Sequence, residues 1–161
     1  MLRLVLTAMG LLLTTGAAMA TSPTPADFGE AFCRASLDGD MSPIEDALSP
    51  TLSVIVVDAW AKSDALQAAA PDEKPPLGDG LPWRSWQDYA DGCDVGAIES
   101  NADTAKVEIS YSFTSDSSAN YSDRLNLIKT DKGWVLDDIE YDTGDTLRTS
   151  LAASFADQPI K

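Results

Sequence analysis

The apolar positions in the first half of the chain recur at the spacing of an α-helix. One such face lies at i, i+3, i+4 and i+7 and consists of Phe28, Ala31, Phe32 and Ala35. Thr24 is a suitable N-cap and Pro25 suits the first helical position, so we predict a helix from residue 25 to about residue 37. The Ser42-Pro43 pair predicts a short second helix that continues to about Leu48.

A third and longer helix is predicted to begin at Ser49-Pro50 and to end before Pro71. Its apolar face is continuous and consists of Leu52, Ile55, Val56, Ala59, Trp60, Ser63 and Leu66. We therefore expect Trp60 to belong to the core rather than to a binding site.

In the last third of the chain the period changes from helical to alternating. Polar residues separate the apolar residues Val107, Ile109, Tyr111 and Phe113, which predicts a half-buried strand. Further strands are predicted over residues 123–129 and 134–141, joined by a four-residue hairpin connection, and a short one near residues 95–100. Trp134 begins the last strand and is expected in the core, and residues 146–156 predict a terminal helix.

Between the helices and the strands, residues 71–94 follow neither period and are rich in proline and glycine. A connection of this length is usually a functional loop or a flexible one. Because it also contains Trp83, Trp86 and Tyr89, which flexible linkers rarely carry, we expect it to pack on the body of the domain, pinned by Cys93.

The first 20 residues have the pattern of an export signal. Arg3 supplies a short positive region, residues 4–13 an apolar stretch, and Ala18-Met19-Ala20 a small-x-small cleavage site. The stretch is shorter than the roughly 20 residues of a stable membrane span, although a retained membrane anchor is the alternative. We predict cleavage after Ala20, a periplasmic or secreted location in a bacterium, and one domain over residues 21–161.

The two cysteines of the chain are Cys33 and Cys93. An oxidising compartment favours a disulfide between them, whereas two separate buried thiols are the alternative. Closing a loop of about 60 residues would stabilise the fold by roughly 4 kcal/mol in the chain-entropy model. No Cys-x-x-Cys pair is present, so we do not predict a redox role.

The chain is strongly acidic, with 26 Asp and Glu against 11 Lys and Arg, no histidine and a net charge of −15. This charge disfavours nucleic acid and anionic membrane surfaces as partners. The absence of histidine excludes imidazole-based catalytic triads and His-ligated metal sites. A strongly negative domain attracts basic proteins over long range, although solubility or adaptation to salt is the simpler explanation of the charge.

The segment Gly133–Tyr141 reads Gly-Trp-Val-Leu-Asp-Asp-Ile-Glu-Tyr. It resembles the last strand of the cystatin-like, or nuclear-transport-factor-2-like, superfold, and especially that of small secreted bacterial proteins whose final hairpin reads Asp-Gly-Trp, a hydrophobic residue, then Asp-Asp-Ile or Asp-Asp-Val. Here Lys132 replaces the Asp before the glycine. The resemblance covers about residues 25–145 and implies an α+β fold in which N-terminal helices pack on a curved antiparallel sheet, a cystatin-like cone that leaves a pocket.

Three aromatic residues of the loop, Trp83, Trp86 and Tyr89, are the candidate contacts, together with Asp88. Near the mouth of the cone they could form a ligand wall or a patch for a protein partner. The alternative is that these rings plug the open end of the sheet as part of the core.

Carboxylates are the remaining candidates for chemistry. Paired carboxylates can act as acid and base when burial separates their pKa values, and the loop offers Asp79, Asp88, Asp91 and Asp94. Ketosteroid isomerase belongs to the superfold that this chain resembles, but none of its catalytic residues maps onto this sequence. Solvated surface charge is the simpler interpretation, so we predict no catalytic residue and no cofactor.

Two acidic segments were considered as calcium sites. The spacing of Asp38, Asp40 and Ser42 is similar to the start of an EF-hand, but Pro43 stands where glycine is needed and Ser49 at the twelfth position. A second cluster follows the last hairpin and consists of Asp137, Asp138, Glu140, Asp142 and Asp145. We interpret both as solvated or locally paired charge and predict no metal site.

Together these features predict an exported, non-catalytic binding or accessory protein, with a small apolar ligand in the cone or a protein partner at its mouth. One alternative is an acidic inhibitor or immunity protein against a basic secreted hydrolase, which would form a salt-sensitive complex through residues 71–94. Another is a small isomerase- or hydrolase-like enzyme, which requires at least one Asp of residues 79–94 to point inward.

Overall fold

Three helices precede a four-stranded antiparallel sheet and a short final helix in the computed structural model, which describes residues 23–156. The helices are α1 (Pro25–Asp38), α2 (Ser42–Glu45), α3 (Pro50–Ala69) and α4 (Leu147–Ala153). The strands are β1 (Gly92–Ser100), β2 (Thr104–Ser112), β3 (Tyr121–Thr130) and β4 (Gly133–Glu140), with a 3-10 turn at Ser117–Ala119. The predicted signal peptide lies outside the described residues.

The helices begin where the capping residues predict. The Thr24 hydroxyl accepts a hydrogen bond from the Asp27 backbone N–H at 3.2 Å, and the Asp27 carboxylate accepts one from the Thr24 N–H at 2.7 Å. Ser49 caps α3 by accepting a hydrogen bond from the Leu52 N–H at 3.1 Å. These bonds satisfy backbone donors that have no partner inside the helix.

The strands pair in the order β1-β2-β3-β4, so the sheet is a simple meander. Alternation places one face of β2 and β3 in the core, and its buried apolar residues are Ala105, Val107, Ile109, Tyr111, Tyr121, Leu125 and Leu127. The other face is polar, with Lys106, Glu108 and Arg124 among its residues. The prediction of an α+β fold, with N-terminal helices on an antiparallel sheet, is confirmed.

Helix α1 lies close against the sheet because Gly29 has no side chain. A Cβ atom at Gly29 would lie 2.9 Å from Val107 Cγ1 and 3.0 Å from Val95 Cγ2. The predicted disulfide joins the same two layers, since Cys33 of α1 is bonded to Cys93 of β1 with their Cα atoms 5.3 Å apart. The helix and the edge strand are thus fixed both by packing and by a covalent bond.

Helix α3 buries one face and exposes the other. Leu52, Val56 and Ala59 are buried, whereas Val54 and Val57 are exposed. Trp60 and Trp134, both expected in the core, are half-buried and pack against it. Among residues 23–156, no helix has the length and apolar content to cross a membrane.

Residues 70–91, which we call loop 70–91, connect α3 to β1 without regular structure. The loop nevertheless supplies core side chains, since Leu77, Leu81 and Trp83 are buried. The Leu77 backbone N–H donates to the hydroxyl of Ser63 on α3 at 3.2 Å. The prediction that this segment packs on the body of the domain is therefore confirmed.

Candidate functional site

Loop 70–91 is fastened to the sheet through the carboxylate of Asp123, which is only 1% exposed. The carboxylate accepts hydrogen bonds from the Ser85 backbone N–H at 3.0 Å, from the Ser85 hydroxyl, and from the Asp142 backbone N–H at 3.0 Å. Burial raises the pKa of Asp123, although the hydrogen bonds from Ser85 and Asp142 act to lower it. All three bonds are made to protein donors, so Asp123 acts as a structural anchor of the loop.

Three tyrosines surround this anchor. The Tyr121 hydroxyl donates to the Trp86 backbone carbonyl at 3.3 Å, and the Tyr141 hydroxyl donates to the Pro82 carbonyl. The Tyr111 ring stacks on that of Tyr121 with centroids 4.7 Å apart. Burial raises the pKa of each tyrosine, and the negative charge of Asp123 raises it further, so all three hydroxyl groups stay protonated.

A groove of about 520 Å³ opens between loop 70–91 and the residues that connect α1 to α2. We call it the Arg84 groove. Aromatic side chains line it, together with one guanidinium and three carboxylates: Trp60, Trp83, Tyr89, Arg84, Asp40, Glu45 and Asp79. Its volume is in the range of small-molecule sites.

Arg84 is held in the groove by a ring and a hydroxyl. Its Nη1 atom donates to the Ser36 hydroxyl at 3.2 Å, and its Cζ atom lies 4.9 Å from the centroid of the Tyr89 ring. Tyr89 in turn lies over Gly39, where a Cβ atom would be 3.4 Å from the ring. Within the described part of the chain, no carboxylate lies within ion-pair distance of Arg84.

The three carboxylates of the groove differ in their partners. Asp40 accepts hydrogen bonds from the Ser42 N–H at 3.1 Å and the Ser42 hydroxyl at 2.7 Å, which lower its pKa. Asp79 is paired with Lys74. Glu45 has neither a hydrogen bond nor an ion pair with the side chains that the structure describes, and its pKa is raised by burial and by the nearby charges of Asp46 and Asp40.

The predicted aromatic contacts divide between the core and the surface. Trp83 is 9% exposed and belongs to the core, so for this ring the plug interpretation is right. Trp86 and Tyr89 are 53% and 69% exposed, so for these two the plug interpretation is wrong. Asp88 lies between them and is exposed. We call Trp86 and Tyr89 the aromatic edge.

The carboxylates proposed for acid–base chemistry are all on the surface: Asp79, Asp88, Asp91 and Asp94. Asp91 accepts hydrogen bonds from the Thr114 N–H and hydroxyl at 2.7 Å, which lower its pKa. None of the four is buried, although Asp79 lines the Arg84 groove, where it is paired with Lys74. The buried carboxylate is Asp123, and a signal for it exists in the sequence, because Asp123 shares the alternation of Leu125 and Leu127 and so faces inward.

In the two acidic segments with calcium-like spacing, carboxylates accept hydrogen bonds from other groups of the protein. Asp40 caps the turn before α2 through Ser42. Asp137 accepts hydrogen bonds from the Ser49 hydroxyl at 2.6 Å and from Arg148 Nη2 at 2.7 Å, and Glu140 accepts one from Lys106 at 2.7 Å. Over residues 23–156, no group of three or more acidic or cysteine side chains is arranged to hold a metal ion.

No family model matches the chain, and no curated protein matches it. Among solved structures, it is similar to the crystal structure of a proposed NTF2-like transpeptidase from Campylobacter jejuni. The two share 21% identity, with a TM-score of 0.41, over 71% of this chain and 97% of that one. At this level the similarity transfers no activity, and the site described above rests on its own geometry.

Proposed function

We propose that the protein is an exported, non-catalytic binding protein that docks a partner protein through the aromatic edge. The observation that carries this proposal is that Trp86 and Tyr89 are exposed on a loop whose backbone is hydrogen-bonded to side chains of β3. Isolated exposed apolar residues are common, but two large rings three positions apart beside an arginine have the composition of an interface hot spot.

The contacts beneath the aromatic edge support a rigid recognition surface. Asp123 holds the backbone of Ser85, and the Tyr121 hydroxyl holds the carbonyl of Trp86. The Tyr89 ring is confined by the guanidinium of Arg84. Rings that are ordered before binding lose little conformational entropy in a complex, so such a surface favours affinity.

The packing of the interior supports a partner protein over a small apolar ligand. Leu77, Leu81 and Trp83 of the loop pack with the helices and the inner face of the sheet into one apolar cluster. An apolar ligand in the cone would have to displace these side chains, and large buried side chains contribute several kcal/mol each to stability. Docking at the surface needs no such rearrangement.

The charge around the aromatic edge supports a basic partner. Exposed carboxylates on loop 70–91 and beside it include Asp38, Asp40, Asp72, Asp79, Asp88 and Asp91. Acidic surfaces steer basic proteins toward them and bind them less tightly as salt is raised. A basic secreted hydrolase fits this description, so inhibition of such an enzyme is the second candidate function.

Export is supported by the signal pattern of residues 1–20 together with the Cys33–Cys93 disulfide. The intact mass of the protein recovered from its own host tests it. We expect the mass of residues 21–161 less two hydrogen atoms. A mass that includes residues 1–20 would contradict cleavage after Ala20, and a mass higher by two hydrogen atoms would contradict the disulfide.

Docking is tested by placing a photoreactive amino acid at the exposed position 88, between Trp86 and Tyr89, in the exported protein and irradiating intact cells. We expect one discrete crosslinked protein, and the same protein should co-purify with unmodified wild type. Trp86→Ala and Tyr89→Ala should abolish co-purification. Val57→Ala, which removes an exposed apolar side chain from α3, is the matched control and should retain it. Equal recovery with all three variants would contradict the proposal.

A further inference from the structure

The guanidinium of Arg84 has hydrogen-bonding capacity that the protein does not use. Of its five N–H donors, one is directed to the Ser36 hydroxyl, and the others have no acceptor among residues 23–156. The Tyr89 ring covers one side of the group, with its centroid 4.9 Å from Cζ, and the unused N–H donors leave the guanidinium available for a bidentate contact. Carboxylates and phosphates are the groups that match this geometry.

A second polar group behind the groove also lacks a partner. The Tyr111 hydroxyl is buried near Ser36 and Arg84, and it has no hydrogen-bond partner among the described residues. Buried hydroxyl groups without a partner are uncommon in folded proteins. The Tyr111 hydroxyl does not itself line the groove, so the unused donors within the groove are those of Arg84.

The opposite charge is present in the same groove. Glu45 lines it and has no cation partner in the described chain. Asp40 also lines it and is kept ionised by Ser42. A purely anionic ligand would be repelled by Glu45 and Asp40, and a purely cationic ligand by Arg84. A ligand that carries both charges avoids both penalties.

We propose that the Arg84 groove is a binding site for a zwitterionic molecule of the amino-acid or short-peptide class. The carboxylate of the ligand contacts Arg84, its ammonium group faces Glu45 and Asp40, and its apolar part packs on Trp60 and Trp83. The volume of about 520 Å³ accommodates a free amino acid or a short peptide. The groove shares Tyr89 with the aromatic edge but not Trp86, so a variant at Trp86 tests the two proposals separately.

Two probes test the site on the purified mature protein: L-phenylalanine and the dipeptide Ala-Phe, each also as its N-acetyl and its C-amide derivative. Binding is followed by isothermal titration calorimetry and by tryptophan fluorescence, which reports on Trp60 and Trp83. We expect at least one free zwitterion to bind and both of its blocked forms to bind about tenfold more weakly or worse. The tighter of the two probes identifies the length of ligand that the groove prefers.

Matched variants connect the binding to the named residues. Arg84→Gln should remove the discrimination against the C-amide, and Glu45→Gln the discrimination against the N-acetyl form. Arg124→Gln and Glu108→Gln, on the polar outer face of the sheet, should leave both unchanged. Retained binding by Trp86→Ala separates this site from the docking surface. Absence of binding by both probes at millimolar concentration, or equal binding of free and blocked forms, overturns the proposal.

Discussion

The buried carboxylate of Asp123 on β3 accepts a hydrogen bond from the backbone N–H of Ser85 at 3.0 Å, across 38 positions of sequence. The next residue after Ser85 is Trp86, whose carbonyl is held by the Tyr121 hydroxyl of the same strand. Contacts with β3 therefore position the aromatic edge and the Arg84 groove.

Asp123→Asn tests this dependence. The amide keeps one acceptor oxygen and replaces the other with an NH2 donor, so either the Ser85 N–H or the Asp142 N–H loses its acceptor. We expect the free energy of unfolding to fall by about 1–3 kcal/mol, measured by urea denaturation. Ser122→Ala, which removes a half-buried hydroxyl from the adjacent position of β3, is the control and should change it by less than about 1 kcal/mol.

The pH dependence of stability should report the same carboxyl. Because burial raises the pKa of Asp123 in the folded state, its contribution to stability is complete below the unfolded pKa and declines as the pH rises through the folded pKa. The stability advantage of wild type over Asp123→Asn should therefore shrink as the pH rises above the ordinary aspartate pKa of 3.8 and through the higher pKa of the folded state. Urea denaturation of both proteins across this range measures it. An advantage that grows with pH would contradict the burial argument.

Trp83 and Trp86 should differ sharply on truncation although they are three positions apart. Trp83→Ala removes a core side chain and should lower the free energy of unfolding by about 3–5 kcal/mol. Trp86→Ala removes an exposed ring and should lower it by less than about 0.5 kcal/mol. Thermal and urea denaturation measure both. A large loss of unfolding free energy with Trp86→Ala would mean that this ring stabilises the loop, which would contradict a role in partner binding alone.

The elements of this fold could be predicted because their signals are local. Thr24-Pro25 and Ser49-Pro50 mark helix starts through bonds within one turn, and alternation along β2 identifies its inner face. Trp83, Trp86 and Tyr89 lie in a loop without periodicity, so no local pattern indicates which of them is buried. Whether Trp83 or Trp86 turns inward is decided by Asp123 and Tyr121, which lie far away in sequence.

The disulfide should be a major contributor to stability. Cys33 and Cys93 are 60 positions apart, so their bond restricts a long segment of the unfolded chain. The double variant Cys33→Ser/Cys93→Ser should lose about 4 kcal/mol, and the slope of its urea transition should rise because the unfolded state expands. Reduction of wild type by dithiothreitol is the matched comparison. Equal stability of the oxidised and reduced proteins would contradict this prediction.

A β-bulge in β4 shows where alternation fails as a guide. Asn126 pairs with Asp138, whereas its neighbour Leu127 pairs with Leu136, so Asp137 is the extra residue of the strand. The bulge lets Asp137 reach across to the N-terminus of α3. There its carboxylate accepts from the Ser49 hydroxyl at 2.6 Å and from Arg148 Nη2 at 2.7 Å.

Asp137→Ala should therefore lower the free energy of unfolding by about 1.5–3 kcal/mol, because it removes a partly buried, charge-assisted network between the sheet, α3 and α4. The contrasting pair is Asp58 and Lys62 on the exposed face of α3, which is equally short at 2.7 Å. Exposed ion pairs contribute little, so Asp58→Ala should change stability by less than about 1 kcal/mol. Urea denaturation of both variants at low and high salt compares the two losses of unfolding free energy and their dependence on salt. If the two losses were equal and equally sensitive to salt, the Asp137 network would be an ordinary surface ion pair, and the bulge would have no role in joining β4 to the helices.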